Sequence, residues 1–338
     1  MSADPAKVKE LQDKTGLPPE GCEKALEKAG GDVKKALEEI QKGGARGPTV
    51  DSGKVKELRE KTGLPMMECK RALEKTGGDV EKAYDELRKA GLKAQEKLAG
   101  RAANEGRTGS GISADGETGV LAALRCETES VGKTETFQKL LSDIVQAILE
   151  KPPANTAALE ALPLPSGLSV KDSVTDLVNR IRENISIGRC ARFEGDAVVQ
   201  YVHFDGKKAA MVALQGGSIK DPRVVEIGKE ICMHIVFSNL SPETTPQCLS
   251  RAEFDPRTLE REREILLATA KNDLRNAKKP EEILKKIIEG QVDKFVAARC
   301  LLEQPFIKDP KQTVEAYLKA SGTGVKITHF VYVATDVS

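Results

Sequence analysis

The strongest pattern of apolar and polar positions in the chain is a strand–loop–helix unit that occurs twice. The first copy opens with a short apolar run at Val120–Cys126, and the second opens with one at Ala209–Leu214. A short apolar run bounded by polar residues is typical of a buried strand. In both copies the apolar residues then recur every three or four positions, which gives a helix one apolar face. The pattern predicts a duplicated α+β core. We expect function in the exposed loop of each unit, because a rigid strand and helix hold it in place.

A tandem repeat precedes this core. The segment 8–42 realigns without a gap on 55–89, and roughly two-thirds of the positions are identical. Such self-similarity indicates two copies of one structural module. Each copy predicts three short helices, with glycine ending the first and aspartate beginning the third. The predicted capping residues are Gly16 and Asp32 in the first copy, and Gly63 and Asp79 in the second.

Glycine-rich stretches separate these parts. Residues 43–53, GGARGPTVDSG, predict a flexible linker that lets the two modules move independently. A helix rich in alanine and lysine is expected around Leu92–Ala103, and the following residues 104–119, NEGRTGSGISADGETG, predict a second hinge.

The rest of the chain alternates helices and strands. Val170–Ile185 predicts an amphipathic helix, and the segment after it predicts a β-meander with turns at Glu194–Asp196 and Asp205-Gly206. Leu259–Ala277 and Glu281–Leu302 predict an antiparallel helical hairpin with a narrow apolar seam that includes Ile265 and Ile283, and the last residues predict a strand that returns to a core sheet. The predicted divisions are two helical modules (1–43 and 54–92), a helix and linker (93–118), core subdomains (119–195 and 196–255), the hairpin (256–303) and a return segment (304–338).

Composition narrows the class of partner. The chain of 338 residues has a net charge of +1 and no tryptophan. No basic stripe interleaved with aromatic residues is present, so we expect no direct contact with nucleic acid. No stretch is long and apolar enough for a membrane span, and the seven scattered cysteines are typical of free buried thiols in the cytoplasm.

Motifs for catalysis or metal binding are weak. Gly132-Lys133-Thr134 resembles the end of a phosphate-binding loop, but Glu127 stands where that motif needs glycine. The histidines, His203, His234 and His329, have no carboxylate or thiol at ligand spacing on a shared element. We therefore expect no catalytic site, no metal and no cofactor, and a protein that works by binding another protein.

Several long motifs resemble bacterial elongation factor Ts, from Val55 almost to the C-terminus. They are KTGLPMMECKRALEKTGGDVEKA, GVLAALRCET with TFQKL, ENISIGRCARFEGDAV, KEICMHIVFSN, IIEGQVDKF and LLEQPFIKDP. The resemblance implies a guanine-nucleotide exchange factor for elongation factor Tu. It also implies an N-terminal ubiquitin-associated-like domain, two α+β core subdomains and a protruding coiled-coil hairpin.

The resemblance also assigns partner contacts. The family's Thr-Asp-Phe-Val segment, which helps dislodge magnesium from the partner GTPase, matches Thr128, Glu129, Ser130 and Val131. The family's core histidine, which helps displace the phosphate-binding side of that site, matches His234. The contact loop of the N-terminal module matches Gly63, Leu64, Pro65, Met66 and Met67.

This chain departs from the family pattern at three places. Ser130 replaces the usual Phe, Glu129 replaces the shorter Asp, and an extra helical module precedes the usual one with Pro19-Glu20 in place of the Met pair. The alternatives are a tandem ubiquitin-associated-type scaffold protein, a nucleotide hydrolase using Lys133, and a paralogue that binds the GTPase without efficient exchange. The stoichiometry stays open between a one-to-one complex and a dimer of such pairs.

Overall fold

The computed structural model describes residues 4–15, 18–42, 50–272 and 280–336, which fall into two compact units, Met1–Leu92 and Lys93–Ser338. Each of the two repeats folds into three helices, as predicted. Their bounds are Pro5–Thr15 (α1), Pro19–Lys28 (α2), Val33–Lys42 (α3), Ser52–Thr62 (α4), Met66–Lys75 (α5) and Val80–Leu98 (α6). No helix in the described part of the chain is long and apolar enough to cross a membrane.

The predicted helix caps are present where the structure describes them. Gly63 ends α4 with a φ of 66°, in the left-handed region that glycine adopts without strain. Asp32 accepts hydrogen bonds from the N–H groups of Lys34 and Lys35, and Asp79 accepts one from Lys82. Gly16 lies outside the described residues.

The predicted bounds of two segments, the helix after the second module and the linker between the modules, were wrong. The separate helix expected around Leu92–Ala103 is the second half of α6, which runs on without a break and ends at Leu98. A single glycine inside a helix, here Gly91, costs only about 1 kcal/mol and does not end it. Residues 43–49 of the predicted linker lie outside the described residues, and Asp51 already caps α4.

In the second unit, the first half of the core is an antiparallel sheet covered by helices. Its elements are Glu105–Ile112 (β1), Thr118–Cys126 (β2), Glu129–Gly132 (α7), Glu135–Glu150 (α8), Thr156–Glu160 (α9), Val170–Ile181 (α10) and Ser186–Glu194 (β3). The strand order is β1-β2-β3. Helix α10 ends four residues earlier than predicted because Arg182 takes the left-handed conformation (φ 65°).

The glycine-rich hinge predicted at 104–119 is wrong, because much of it is strand β1. A Cβ atom at Gly109 would lie 2.8 Å from Leu141 Cγ, and one at Gly111 would lie 2.7 Å from Val145 Cγ1. Both contacts are shorter than real side chains tolerate. These glycines therefore let α8 pack closely on β1, and they do not mark flexibility.

The second half of the core repeats this arrangement. Its elements are Ala197–Val202 (β4), Lys208–Gln215 (β5), Pro222–Ser238 (α11), Pro256–Asn272 (α12), Glu281–Arg299 (α13), Pro305–Phe306 (β6), Asp309–Thr313 (β7), Val314–Ala320 (α14) and Lys326–Ala334 (β8). The sheet order is β4-β5-β8, so the last strand returns to the core as predicted. Leu121 of β2 packs with Met211 of β5 and Val331 of β8, so the two sheets face each other.

The predicted β-meander is only half right. The turn at Asp205-Gly206 does join β4 and β5 as a hairpin, whereas β3 pairs with β2, with Ala191 opposite Leu121. The turn at Glu194–Asp196 therefore passes from one sheet to the other. A turn signal in the sequence reports a local reversal of the chain, and it does not determine which distant strand the next segment pairs with.

The helical hairpin is formed by α12 and α13, which pack through Ala270, Ile288 and Val292. The end of the first predicted helix, 273–277, lies outside the described residues, and the second ends at Arg299 where Leu302 was predicted. Ile265 and Ile283, assigned to the apolar seam, are exposed instead. An apolar residue on a highly charged helix lies in the seam only if it falls on the narrow face that meets the partner helix.

Candidate partner-binding site

The segment Thr128–Val131, here called the contact segment, follows strand β2 and begins helix α7. Glu183 holds its first residue at two points: the Thr128 hydroxyl donates to Glu183 Oε1 over 2.7 Å, and the Thr128 N–H donates to Glu183 Oε2 over 3.1 Å. Val131 is buried in the core cluster that includes Cys126 and Phe137. The segment is therefore anchored at both ends, at Thr128 by hydrogen bonds and at Val131 by burial, while Thr128, Glu129 and Ser130 are all exposed to solvent.

Glu129 is the charged group at the centre of this segment. Its side chain is 51% exposed, and a carboxylate oxygen lies 2.9 Å from Lys133 Nζ. The hydrogen bond from Lys133 and the positive charges of Lys133, Lys207 and Arg107 lower the pKa of Glu129. The group is therefore a carboxylate at neutral pH, as needed to compete for a cation or for water bound to one.

Ser130, Val131 and the adjacent Gly132 differ in exposure and in what they contact. Ser130 is exposed, and its hydroxyl oxygen lies 3.0 Å from that of Thr128, so it presents a small polar surface. Val131 was predicted to act on the partner, but the structure places it in the core, where it anchors the segment. Gly132 is buried, and a Cβ atom there would lie 3.3 Å from the backbone of Gly106. This glycine therefore allows close packing against β1.

A concave surface lies beside Glu129 and encloses a volume of about 710 Å³. Its charged lining is formed by Arg107, Glu129, Lys133, Asp205 and Lys207. Lys207 pairs with Glu105 at 2.7 Å, and Lys133 pairs with Glu129. Positive and negative groups are therefore both present on this open surface, which suits contact with a charged protein surface.

Phe204 also lines this concave surface, although it was not predicted from the sequence. The side chain is 91% exposed at the tip of the β4–β5 hairpin. Its ring lies 4.4 Å from that of His203, whose Nδ1 is 3.0 Å from the Tyr201 hydroxyl. The sequence did contain a signal for an exposed aromatic side chain here, because Phe204 directly precedes the predicted turn at Asp205-Gly206. Residues at the tip of a hairpin are exposed on either face of the sheet.

His234 is buried on α11, with only 3% of its surface exposed. Its Nδ1 accepts the N–H of Ile307 at 3.3 Å, so its Nε2 carries the proton and donates to Gln304 Oε1 at 2.8 Å. Burial lowers the pKa of His234, which keeps the ring neutral at pH 7. The ring ties α11 to the segment 304–307. His234 is not among the residues that line the concave surface beside Glu129.

The N-terminal contact loop divides into support and contact residues. Leu64 is buried in the module core, and Gly63 supplies the left-handed turn that ends α4. Pro65 precedes the first turn of α5, where Met66 and Met67 are 53% and 57% exposed. The two methionines are therefore available as an adaptable apolar contact.

No group of three or more His, Cys, Asp or Glu side chains in the described ranges could hold a metal ion. Six of the seven cysteines are buried, which agrees with the predicted free thiols.

Comparison with known proteins identifies the family. The family model described as Elongation factor TS matches residues 127–336, which is more than half of the chain. The elongation factor Ts of Azoarcus sp. strain BH72 is 42% identical over 319 residues, covering 94% of this chain and 86% of the relative. That of Desulfovibrio desulfuricans is 38% identical over 326 residues, covering 94% and 91%, and that of Cytophaga hutchinsonii is 37% identical over 245 residues, covering 72% and 84%. On this evidence the chain belongs to the elongation factor Ts family.

Proposed function

We propose that this chain promotes GDP release from elongation factor Tu by bringing Glu129 against the magnesium and phosphate site of that GTPase. As a member of its family the chain is a guanine-nucleotide exchange factor in translation elongation. The observation that carries the proposed mechanism is an ionised, half-exposed carboxylate on a segment that is anchored at both ends.

The mechanism is a linkage of two binding equilibria. A factor that binds the nucleotide-free GTPase more tightly than the GDP form weakens GDP binding by the same ratio. Magnesium is the largest local charge holding the diphosphate, so a carboxylate that competes for its shell raises the GDP off-rate. The buried Val131 and the Thr128–Glu183 pair keep Glu129 in place, so little ordering entropy is lost on binding.

Two apolar groups are proposed to add affinity. Phe204 lines the same concave surface as Glu129, and Met66 and Met67 are exposed at the tip of the second module. Large exposed side chains of this kind contribute most at interfaces when the partner buries them.

We propose an indirect role for His234. Because the ring is buried and fully hydrogen-bonded, it acts by positioning residues 304–307, where Ile307 is exposed. The His234→Gln variant is expected to weaken binding to the GTPase, and Ile307→Ala should do the same if that segment is the contact. An effect of the His234 variant without one for Ile307 would contradict this route.

The main experiment is release of a fluorescent GDP analogue from elongation factor Tu, with and without this protein. Glu129→Gln removes the charge and keeps the size, and we expect it to slow the stimulated release by about tenfold, equivalent to about 1.4 kcal/mol. Glu135→Gln is the matched control, since Glu135 is an exposed acid a few residues away at the start of α8. Equal activity of the two variants would overturn the role of Glu129.

Ser130→Phe tests the missing aromatic residue. Ser130 is exposed, so the larger side chain fits without disturbing the core, and we expect faster GDP release. An unchanged or slower rate would contradict a wedge at this position. Stable binding by the unmodified chain without any acceleration would favour the alternative, a family member that binds the GTPase without exchanging its nucleotide.

We further propose that the chain works in the cytoplasm, catalyses no covalent chemistry and makes no direct contact with nucleic acid. The near-neutral net charge of +1 supports the last point. Light scattering of the complex with the GTPase measures its mass, and it distinguishes a one-to-one complex from a dimer of such pairs.

A further inference from the structure

Two cysteines meet at the base of the helical hairpin. Cys248 lies just before the segment that leads into α12, and Cys300 directly follows α13. Their sulfur atoms are 3.3 Å apart, and both residues are buried. The two thiols are 52 positions apart in sequence, so this contact is a product of the fold.

The backbone at this place fixes the contact. Cys248 and Cys300 are opposite each other in a parallel bridge. Hydrogen bonds flank them on both sides, from Gln247 N–H to Arg299 O over 2.8 Å and from Leu301 N–H to Cys248 O over 3.0 Å. Paired extended segments lie about 4.8 Å apart. Disulfides span Cα separations of about 4.4–6.8 Å. The sulfur atoms can therefore bond with little movement of the backbone.

A small oxidant has access to one of the two thiols. Cys248 lines an open groove of about 860 Å³, together with Gln247, Leu249 and Tyr332. Cys300 does not line this groove and is completely buried behind it. The two positions divide the roles: Cys248 is the thiol that a peroxide reaches first, and Cys300 is the thiol that resolves the product.

We propose that Cys248 and Cys300 form a reversible intramolecular disulfide, with hydrogen peroxide as the oxidant. The Cys248 sulfur attacks one peroxide oxygen and breaks the O–O bond, which gives a sulfenic acid and one water. The Cys300 sulfur then attacks the Cys248 sulfur and displaces the second water. Two thiols lose two electrons and two protons, and one peroxide becomes two waters. A dithiol reductant restores both thiols by exchange.

The environment makes this site slow and pH-dependent. Burial raises the pKa of both thiols, and that of Cys300 rises to about 12. The thiolate is the reactive form, so oxidation is expected to accelerate as the pH rises from 7 to 9. A site of this kind responds to sustained exposure to peroxide, because only a small fraction of the thiol is ionised at neutral pH and the reaction with peroxide is therefore slow.

The bond would close the chain around the hairpin. Arg251 already ties this base together through ion pairs with Asp293 at 2.6 Å and Glu303 at 2.9 Å. A covalent link between the two ends of the hairpin removes conformational freedom from its unfolded state. We therefore expect the oxidised hairpin to open less often, with α12 and α13 remaining packed.

The test uses the full-length protein at pH 8.5, treated with hydrogen peroxide, then alkylated and digested without reductant. The expected product is one linked peptide pair containing Cys248 and Cys300, lighter by two hydrogens and absent after dithiothreitol treatment. Cys248→Ser and Cys300→Ser should each abolish it, whereas Cys190→Ser should not. Sulfinic acid on Cys248, a bond to another cysteine, or an intermolecular dimer would overturn the proposal.

A second measurement does not depend on the variants. Amide hydrogen exchange in residues 256–299 is compared between peroxide-treated and dithiothreitol-treated protein. We expect exchange in the oxidised hairpin to be roughly tenfold slower, with no change in α8. Equal exchange in the two samples would show that the bond has no effect on the hairpin, and it would overturn that part of the proposal.

Discussion

The two N-terminal modules have nearly the same internal contacts, although their exposed surfaces differ. In both, a lysine of the first helix donates to the carbonyl of a glycine in the turn after the second helix. The distances are 2.9 Å from Lys7 Nζ to Gly31 O and 2.8 Å from Lys54 Nζ to Gly78 O. A threonine hydroxyl also contacts the cysteine of the next helix, at 3.9 Å for Thr15 and Cys22 and at 3.6 Å for Thr62 and Cys69.

The difference lies at the start of the second helix. The second module presents Met66 and Met67 there, whereas the first presents Pro19 and Glu20, which are also exposed. A proline in the first turn of a helix is compatible with the fold, so the scaffold accepts either pair. The two modules therefore share a scaffold, and at the start of the second helix they differ in that the second module exposes two methionines where the first exposes a proline and a glutamate.

The largest expected effect is a loss of folding stability, and it tests whether the two modules fold separately. Leu11 and Leu58 are both fully buried, and replacing either by Ala should cost about 3 kcal/mol. A module of about 40 residues has little stability to lose, so each variant is expected to unfold its own module alone. Hydrogen exchange followed by mass spectrometry measures this for each module. Loss of protection in both modules from a single substitution would contradict separate folding.

The next effect tests the surface difference. The double change Met66→Pro and Met67→Glu gives the second module the exposed pair of the first. We expect about tenfold weaker binding to elongation factor Tu in titration calorimetry, because two apolar contacts are lost. The thermal midpoint should stay nearly unchanged. The reverse change, Pro19→Met with Glu20→Met, is the control. Equal binding by the unmodified chain and both double variants would show that the methionine pair of the second module does not contact the GTPase.

A smaller effect concerns pH, and it should be shared by the modules. Backbone N–H groups donate to Asp32 and Asp79 and lower the pKa of each carboxyl group. The resulting stabilisation is present above the unfolded value of about 3.9 and is lost as the pH falls through the lower folded value. Carboxyl-carbon NMR titration should show both pKa values below 3.9. A normal value for either residue would mean that its cap does not form.

The smallest effect concerns the lysine–carbonyl contact. Lys7→Met and Lys54→Met keep the length of the side chain and remove the donor. Because both contacts are exposed, we expect each change to lower the free energy of unfolding of its module by less than about 1 kcal/mol. Urea titration measures the loss. A large loss in only one module would show that the two scaffolds are less alike than their geometry indicates.

Local patterns predicted much of the fold. The apolar spacing before Ile148 predicted α8, and the caps at Asp32, Asp79 and Gly63 appear where turn chemistry placed them. The glycine-rich stretch that became β1 was misinterpreted. Glycine weakens a strand pattern, and only the packing of α8 on β1 explains why Gly109 and Gly111 stand there.

The candidate site was predicted in part. The sequence singled out Glu129, and the structure presents it as an exposed carboxylate. The anchoring contact of Glu183 and the nearby Phe204 were missed because these residues lie 54 and 75 positions from Glu129 along the chain. His234 and Val131 were selected by their place in motifs, and both turn out to be buried. Their burial was not predicted, because a motif position does not specify which way a side chain faces.

The sequence by itself determined the helices, the paired modules, the family resemblance and the residue types of the contact segment. Helices depend on interactions between residues a few positions apart, and a repeat or a family motif is a property of the residue order, so all of these features leave a pattern along the chain. Tertiary structure alone decided that β3 pairs with β2, that Phe204 lies beside Glu129, and that Cys248 meets Cys300. Those contacts join distant segments, and they form because burying the apolar faces of the sheets and of the helical hairpin brings the segments together.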